Sequence, residues 1–462
     1  MTDNVNTLAW QPALQARAGE PRGGWAAWVT ALLMCTLIVF MIVPEDFDYE
    51  SLGTPMPEAG NTTSRLIWIA LLSGSTAVVL RYLRLARLIV SQMNPFMLAF
   101  VVLACASVLW SIDPTFTFRR LIRLTSIFLT SLAFVLVPGR RIQDLLRPMI
   151  TAMLIGSIAL LMLNPRLALE RSVATELAGA WHGLATQKNG LGSLAAIGTL
   201  LWLHAWLARE ARWPAIVLGL SVSLVCLFYS RSSTSLLATV FTAPFMAFLL
   251  RSPRGLHRYV PWLVGVFAIG LLLYSLAVLR IVPGLGILLR PLEMLTGKDP
   301  TFSGRTNIWD IVNEHIALRP MLGSGYGAYW VGPVMGTAAY EHVTRLYFYP
   351  TEAHNGYLDI VNDLGAVGGA CLFGYLLVYL RQSLRVLART RLQGALYLGL
   401  FFEQMMANMS ESRWLNVLCI EFVIVTLATA ALARTQLEYR LQERSRRYEH
   451  RSGVMRGESP AG

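Results

Sequence analysis

Charged residues are scarce in this chain, because Asp, Glu, Lys and Arg make up only 14% of its 462 residues. Soluble domains of ordinary composition carry about a quarter. Hydrophobic residues make up 55% of the sequence, and they are gathered into runs long enough to cross a bilayer. The shortage of charge excludes an ordinary soluble domain and predicts a polytopic membrane protein.

Cysteine is also sparse, with five residues in the whole chain. They are Cys35, Cys105, Cys226, Cys371 and Cys419, and all of them fall inside apolar runs. Buried packing explains such cysteines better than a disulfide framework or a zinc site does. The seven histidines are scattered, and no two form a His-x-x-x-His pair. We therefore expect no metal site and no cofactor.

The apolar runs predict an all-α fold, because lipid offers no partner to an unsatisfied backbone group. We count about twelve transmembrane helices, and we see no internal repeat. The candidate spans are Trp25–Val43, Leu66–Leu80, Phe96–Trp110, Leu121–Val137, Pro148–Leu163, Leu191–Leu207, Pro214–Phe228, Ser235–Leu250, Val260–Leu279, Val361–Leu380, Leu392–Met409 and Trp414–Ala433.

These spans divide the chain into five regions. They are an N-terminal tail at 1–24, helices one to nine at 25–279, a large and partly helical outer loop at 280–360, helices ten to twelve at 361–433, and a basic tail at 434–462. The first span is followed by Pro44-Glu45-Asp46 instead of a small-residue cleavage site. We interpret it as an uncleaved anchor.

The distribution of charge predicts the orientation. A net charge of +12 would fit a nucleic-acid partner, but most of the Lys and Arg residues lie in the short loops and tails on one side. The first loop on the other side is acidic. The positive-inside rule then places both termini in the cytoplasm and the long loop outside, in the periplasm of a bacterial inner membrane. We expect contact of the basic tail with membrane lipids and no nucleic acid.

Several cations break this rule by lying on the outer side. They are Arg119, Arg120, Arg123, Lys188 and Arg231. An anionic ligand at the outer face would explain them, and interfacial snorkelling is the simpler alternative. Their gathering on one face favours the ligand.

The long outer loop adds one more cation at a helix start. Ser303 is a candidate N-cap for a helix from Gly304 to Leu318, which places Arg305 in the first turn. An Arg at a helix N-terminus suits a phosphate or diphosphate. The alternative is a solvated Arg on an amphipathic helix.

The same loop contains Gly323-Ser324-Gly325-Tyr326-Gly327-Ala328-Tyr329-Trp330. No strand precedes it and no P-loop Lys follows, so nucleotide binding is excluded. A flexible turn lined with aromatic rings that suit sugars is the better interpretation.

His354 stands where the loop enters the tenth span, among polar neighbours that include Asn355 and Tyr357. A lone His is most often structural. This position, opposite several cations, favours a general base that takes a proton from an attacking hydroxyl.

In this order the motifs resemble the O-antigen ligase and polysaccharide polymerase superfamily, closest to its ExoQ-like exopolysaccharide polymerase branch. They are Trp110-Ser111-Ile112-Asp113-Pro114 with Arg119-Arg120, Gln187-Lys188-Asn189-Gly190-Leu191-Gly192, Tyr229-Ser230-Arg231-Ser232-Ser233-Thr234, Gly304-Arg305-Thr306-Asn307-Ile308-Trp309 through Gly323, and His354-Asn355-Gly356-Tyr357-Leu358.

The resemblance implies a metal-independent membrane glycosyltransferase with a GT-C-like helical fold and a donor glycan carried on undecaprenyl diphosphate. It implies that Arg231 and Arg305 hold the diphosphate and that His354 activates the acceptor hydroxyl. Lys188 and Arg120 are implied as weaker donor or acceptor contacts. We expect Arg119, Asn355 and Tyr357 to bind substrate with them.

The resemblance leaves polymerase and ligase open, and the motifs around Lys188 and Arg231 favour the polymerase. A ligase would transfer the glycan to lipid A-core or another acceptor. Two rivals from other classes are a polysaccharide transporter or flippase component and a non-catalytic part of an export assembly. A chain-length regulator and export machinery are possible partners.

Overall fold

The computed structural model describes residues 24–43, 62–170, 179–278, 287, 305–417 and 419–455. Every regular element in these ranges is helical, apart from one isolated bridge between Leu169 and Trp181. The α-helices are α1 (Trp25–Ile42), α2 (Thr62–Arg81), α3 (Leu83–Val90), α4 (Pro95–Ala106), α5 (Pro114–Leu136), α6 (Ile142–Leu163), α7 (Pro165–Ala168), α8 (Lys188–Ala208), α9 (Trp213–Tyr229), α10 (Ser233–Arg251), α11 (Val260–Val278), α12 (Arg305–Leu318), α13 (Tyr340–Leu346), α14 (Gly356–Arg389), α15 (Arg391–Ala407) and α16 (Ile420–Met455).

The predicted all-α polytopic fold is confirmed. Each of the twelve predicted spans overlaps a helix of the described residues. Within the described ranges, seven helices are long and apolar enough to cross a membrane. The number is eight if α3 and α4, which are bent by 105° at the break between them, form one span. The predicted cap Ser303, the acidic first loop and the chain ends lie outside the described residues.

Several helices begin earlier than hydropathy predicts, among them α5, which begins at Pro114 instead of Leu121, and two others show the reason. The fifth span was predicted from Pro148, but α6 begins at Ile142 and continues through the proline. The tenth span was predicted from Val361, but α14 begins at Gly356 because the side chain of Asn355 caps it. A hydropathy window misses the first turn of a helix when its residues are polar, although their backbone is helical.

The twelfth span begins later than predicted, at Ile420 instead of Trp414. Asn408 at the end of α15 holds the connecting loop, because its Oδ1 accepts from the backbone N–H of Arg413 at 2.8 Å and also from that of Trp414. The loop between α15 and α16 is therefore longer than the sequence indicated, and it carries part of the site described below.

Two helices form the middle of the bundle. About four fifths or more of the apolar window of each is buried, 78% for α8 and 89% for α16. Helix α8 packs against α6, α9, α10 and α15, while α16 packs against α3, α5, α14 and α15. A side chain at the end of α8 is thus surrounded by several other helix ends.

A buried ionic cluster ties the helices together at the end of the bundle that is predicted to be cytoplasmic. Arg147 Nη2 lies 2.7 Å from Glu210 Oε2 and 3.0 Å from His204 Nδ1. His204 Nε2 lies 2.8 Å from the carbonyl oxygen of Leu392. The contacts join α6, α8 and α15, so these charges have a structural role far along the helices from the outer end.

The segment between α12 and α14 is anchored on a break in α14. Gly365 has φ 62° and ψ −162°, which interrupts the helix. A Cβ at this position would lie 2.2 Å from the carbonyl carbon of Met321, so only glycine allows the two backbones to approach. On the other side, Gly327 N–H donates to Asp363 Oδ2 at 2.7 Å. This docking fixes the path of the chain toward His354.

The aromatic residues of this segment are buried, which corrects the expectation of a flexible sugar-binding turn. Tyr326, Tyr329 and Trp330 are only 2%, 1% and 4% exposed. Trp330 Nε1 donates to Asp359 Oδ1 on α14 at 2.8 Å. The glycines let the backbone lie directly on α14, and the rings between them consequently fill the interior.

Candidate active site

Four helix N-termini meet at the end of the bundle that is predicted to face outward, which we call the outer end. Each carries a residue that the sequence had indicated. Lys188 is the first residue of α8 and Arg305 the first residue of α12. Arg231 stands directly before the N-cap of α10, and His354 directly before the N-cap of α14. Free N–H groups and partial positive charge at helix N-termini favour an anion.

Glu411, in the loop between α15 and α16, joins these helix ends. Its Oε1 lies 2.9 Å from Arg305 Nη2 and accepts from Asn189 Nδ2 at 2.7 Å. Its Oε2 lies 3.4 Å from Arg413 Nη2 and 3.6 Å from His354 Nδ1. The side chain is 4% exposed. One buried carboxylate therefore contacts groups on α8, on α12 and at the start of α14.

The charges around Glu411 keep it ionised. Burial alone would raise the pKa of this carboxyl, but His354 and the guanidinium groups of Arg413 and Arg305 outweigh burial and hold the pKa well below its usual range. Arg413 is itself held from its other side, since its Nε lies 3.4 Å from Glu421 Oε1. Buried charges in this cluster thus occur with partners, as buried charges must.

His354 lies between two carboxylates. Its Nδ1 is 3.1 Å from Glu352 Oε1 and 3.6 Å from Glu411 Oε2. Burial alone would lower the pKa of His354, but the two carboxylates outweigh burial and raise the pKa to about 9. The free site therefore holds mainly an imidazolium at neutral pH, and the neutral form needed for a general base is the minor one.

The backbone of His354 is held in the left-handed region, with φ 52°, and Arg231 has φ 50°. This conformation costs about 1–2 kcal/mol for a residue with a Cβ. Such strain is concentrated at functional sites, where surrounding contacts maintain it. Both residues stand directly before the N-cap of a helix, so the chain adopts the same backbone conformation at the two positions.

Arg305 is held by the last outer loop. One guanidinium nitrogen donates to the carbonyl oxygen of Ser410 and the other contacts Glu411. The side chain remains 20% exposed. It is thus both positioned and accessible, which suits a ligand-binding Arg.

Lys188 and Arg231 lie side by side at the same end. Lys188 Nζ donates to the carbonyl oxygen of Arg231 at 3.5 Å, and its charge interacts with those of Arg231, Arg305 and Glu411. The backbone N–H of Lys188 donates to Glu170 Oε1 at 2.9 Å, which neutralises part of the helix N-terminus. His354, Arg305, Arg231 and Lys188, predicted from separate motifs, are therefore brought together.

Arg120 is placed elsewhere along the outer end, beside the docked glycine segment. Its Cζ lies 5.1 Å from the ring centroid of Phe116, and a Cβ on Gly327 would lie 2.2 Å from its Cδ. Arg119, one residue earlier on α5, is exposed. Substrate contacts of Arg119 and Arg120 stay predictions.

Asn355 and Tyr357 support the site through contacts within the protein. Asn355 Oδ1 accepts from the N–H groups of Tyr357 and Leu358, each at 3.1 Å, and so caps α14. Tyr357 OH donates to the carbonyl oxygen of Met405 at 3.0 Å. Direct binding of substrate by either residue stays a prediction.

Sequence reasoning missed the carboxylates and one cation of the cluster, Glu352, Glu411 and Arg413. Glu352 was readable, because it lies two residues before His354 in the same outer loop. Glu411 and Arg413 were assigned only to a minimal turn between spans. For Glu411, the available signal was an acidic residue in a loop predicted to lie on the side where several cations were expected to bind an anion.

Glu352, His354 and Glu411 could also hold a metal ion, since their ligand atoms all lie within 4.8 Å of one another. Glu411 already contacts Arg305 and Arg413, and a divalent cation would have to compete with both guanidinium groups. The charge balance of the site favours an anionic ligand over a cation.

The fold and the site together define a polytopic membrane protein in which three cations and a histidine lie at four helix N-termini. Two comparisons with known proteins show which proteins the chain resembles. A family model described as O-antigen ligase matches residues 218–373, a range that contains Arg231, Arg305, Glu352 and His354.

The chain is also 24% identical over 283 residues to the exopolysaccharide production protein ExoQ of Rhizobium meliloti (strain 1021). The match covers 58% of this chain and 60% of the relative's length. The resemblance predicted from the motifs, to the O-antigen ligase and polymerase superfamily in its ExoQ-like branch, is confirmed by both comparisons.

Proposed function

We propose that the protein is a polysaccharide polymerase, a membrane glycosyltransferase that joins oligosaccharide repeat units carried on undecaprenyl diphosphate. The observation that carries the proposal is the meeting of Lys188, Arg231 and Arg305 with His354 at four helix N-termini. A diphosphate is the part of such a donor that this concentration of positive charge would bind.

Arg305 and Arg231 bind the diphosphate and stabilise the negative charge that grows on it as it leaves. Lys188 adds a third positive charge beside them. This cation set fulfils the role that a metal ion has in other phosphate chemistry, and we propose that the reaction needs none.

The acceptor hydroxyl oxygen attacks the anomeric carbon and forms the new glycosidic bond. The bond between that carbon and the diphosphate oxygen breaks, and its electron pair stays on the diphosphate. The hydroxyl proton goes to Nε2 of His354, and Glu352 beside Nδ1 stabilises the imidazolium that results. Attack opposite the leaving group inverts the anomeric centre.

The proposal includes an orientation. Both termini lie in the cytoplasm and the site faces the periplasm, at the outer surface of the bacterial inner membrane. Arg-rich loops on one side support this, in accordance with the positive-inside rule. Lipid-linked repeat units would reach the site from the membrane, and a chain-length regulator and export machinery would act on the product.

Two alternatives predict different products. The match to a model described as O-antigen ligase favours transfer to lipid A-core or another acceptor, whereas the name of the relative, an exopolysaccharide production protein, favours polymerisation. A transporter or flippase component would make no new glycosidic bond.

The test uses purified protein in lipid with undecaprenyl-diphosphate-linked oligosaccharide repeat units and no other acceptor. A ladder of products that differ by one repeat unit is the expected result. Transfer that appears only after lipid A-core or another acceptor is added would establish the ligase, and no transfer in either case would support transport.

A matched pair of variants ties the result to the site. Arg305→Ala is expected to abolish the ladder, while Arg345→Ala should leave it unchanged. Arg345 belongs to the same outer segment and pairs with Glu314 and Glu341 at the surface. Equal loss in both variants would indicate damage to the segment instead of to the site.

A further inference from the structure

Glu411 occupies the place where a bound anion would be expected. Its Oε1 faces Arg305 and Asn189 at 2.9 and 2.7 Å, and its Oε2 faces Arg413 and His354 at 3.4 and 3.6 Å. The two oxygens of one carboxylate thus contact the proposed diphosphate-binding residue and the proposed base.

An incoming diphosphate must take Arg305 from partners that already hold it. One guanidinium nitrogen contacts the carbonyl oxygen of Ser410 and the other contacts Glu411. A diphosphate carries more charge than a carboxylate and can accept both guanidinium nitrogens at once. Glu411 contacts only one of these nitrogens and is therefore a weaker ligand, which a diphosphate can displace.

We propose that Glu411 is a positioning residue that couples donor binding to proton transfer. It holds Arg305 within reach in the empty site, yields it to the diphosphate, and then directs its charge at Nδ1 of His354. This inference rests on the proposed function, because the diphosphate and the base are those of that reaction.

The coupling has two opposed consequences. A carboxylate next to the bound diphosphate repels it, so Glu411 weakens donor binding. The same carboxylate stabilises the imidazolium that forms during transfer, so it accelerates the chemical step. Removing the charge should therefore tighten donor binding and slow transfer, a combination that loss of a merely structural contact does not produce.

The variant Glu411→Gln keeps the shape of the side chain and removes its charge. Binding of undecaprenyl diphosphate and single-turnover transfer are measured separately, in the same lipid. A charge within 4–6 Å of a titrating group changes its equilibrium by about tenfold or more. At about pH 10, where His354 is mainly neutral in both proteins, we expect Kd to fall about tenfold and the transfer rate at saturating donor to fall severalfold, because a less basic imidazole is a weaker proton acceptor.

Glu314→Gln is the matched control, because it also removes one carboxylate from an Arg pair in the outer segment. Glu314 Oε2 lies 2.6 Å from Arg345 Nη1, and its side chain is 59% exposed. Both measurements should stay at wild-type values. For Glu411→Gln, weaker binding together with slower transfer would overturn the coupling and leave only a structural role; an unchanged transfer rate would overturn it as well.

Glu411→Asp covers the case in which the Gln variant does not fold. It keeps the charge that Arg413 requires, but it is one methylene shorter and cannot contact Arg305 and His354 together. At the same pH we expect a lower transfer rate with unchanged or tighter binding, and wild-type kinetics would refute the proposal. Because binding is read without transfer, an inactive wild type would overturn the proposed reaction, while tighter binding by Glu411→Gln would still show that Glu411 opposes the diphosphate.

Discussion

The pH dependence of glycan transfer should report the carboxylates around His354. With its pKa raised to about 9, only about 1% of His354 is neutral at pH 7. If the neutral imidazole is the base, kcat/KM should rise about tenfold from pH 7 to pH 8 and level off above pH 9. Glu352 is the nearer carboxylate, at 3.1 Å compared with 3.6 Å for Glu411.

Glu352→Gln removes that nearer charge and should lower the pKa of His354 by about one unit, while Glu411 keeps it above the ordinary value. The neutral fraction at pH 7 then rises to about 10%. The midpoint of the profile should move to about pH 8, and its plateau should fall because a less basic imidazole is a weaker proton acceptor.

The assay is initial transfer rate at low donor concentration, from pH 6 to pH 10, in protein reconstituted in lipid. Glu314→Gln serves again as the control, with an expected wild-type profile. A wild-type rate that does not change between pH 7 and pH 9, or the same midpoint in Glu352→Gln and wild type, would refute the assignment of His354 as the base.

Three further outcomes are expected. Arg305→Ala should lower kcat/KM by about 10²–10³-fold because it removes a hydrogen-bond donor to the developing negative charge. Arg305→Lys should recover little of the lost kcat/KM because Lys cannot bind bidentately. The level of either protein in the membrane should stay unchanged. Gly365→Ala should lower the thermal midpoint of unfolding more than Gly139→Ala does. Both substitutions place a Cβ at a positive φ, of 62° and 70°. A Cβ at Gly365 would lie 2.2 Å from a backbone carbon, whereas one at Gly139 would have no atom within 4 Å. Treatment with a chelator should leave the transfer rate within about twofold, because the proposed cations replace a metal in charge stabilisation.

Each of these expectations has a contrary result. Full activity of Arg305→Lys would refute the bidentate contact, and full activity of Arg305→Ala would show that Arg305 has no part in the mechanism. Equal thermal midpoints for the two glycine variants would show that the close approach at Gly365 contributes nothing to stability. Activity that a chelator abolishes and a divalent cation restores would assign a metal to the Glu352, His354 and Glu411 group.

The helices were predictable because lipid imposes long apolar runs and a regular backbone on them. Boundaries failed where local polar contacts decided them, as at Asn355, whose side chain caps α14 before the apolar run begins. The prediction of a flexible aromatic turn was wrong because hydropathy does not reveal the break in α14 at Gly365. This break lets a neighbouring backbone approach α14, and the approach buries Tyr326 and Trp330.

The site was predictable where chemistry stood out against the local sequence. Arg305 at a helix start and His354 at the entry to a span were such cases. Glu411 was not, because its meaning depends on partners from other parts of the chain, 106 residues away for Arg305 and 222 for Asn189. No pattern within one motif states which distant cation a carboxylate will contact.

The position of Glu411 and Arg413 between α15 and α16 also sets the order in which the site can form during synthesis. Arg231, Arg305 and His354 are synthesised first, so Arg305 and His354 precede the carboxylate of Glu411 that contacts both of them. The loop between α15 and α16 is synthesised after all of them. The charged centre is therefore complete only once this loop has been made, and a chain that stops before it cannot form the assembled centre.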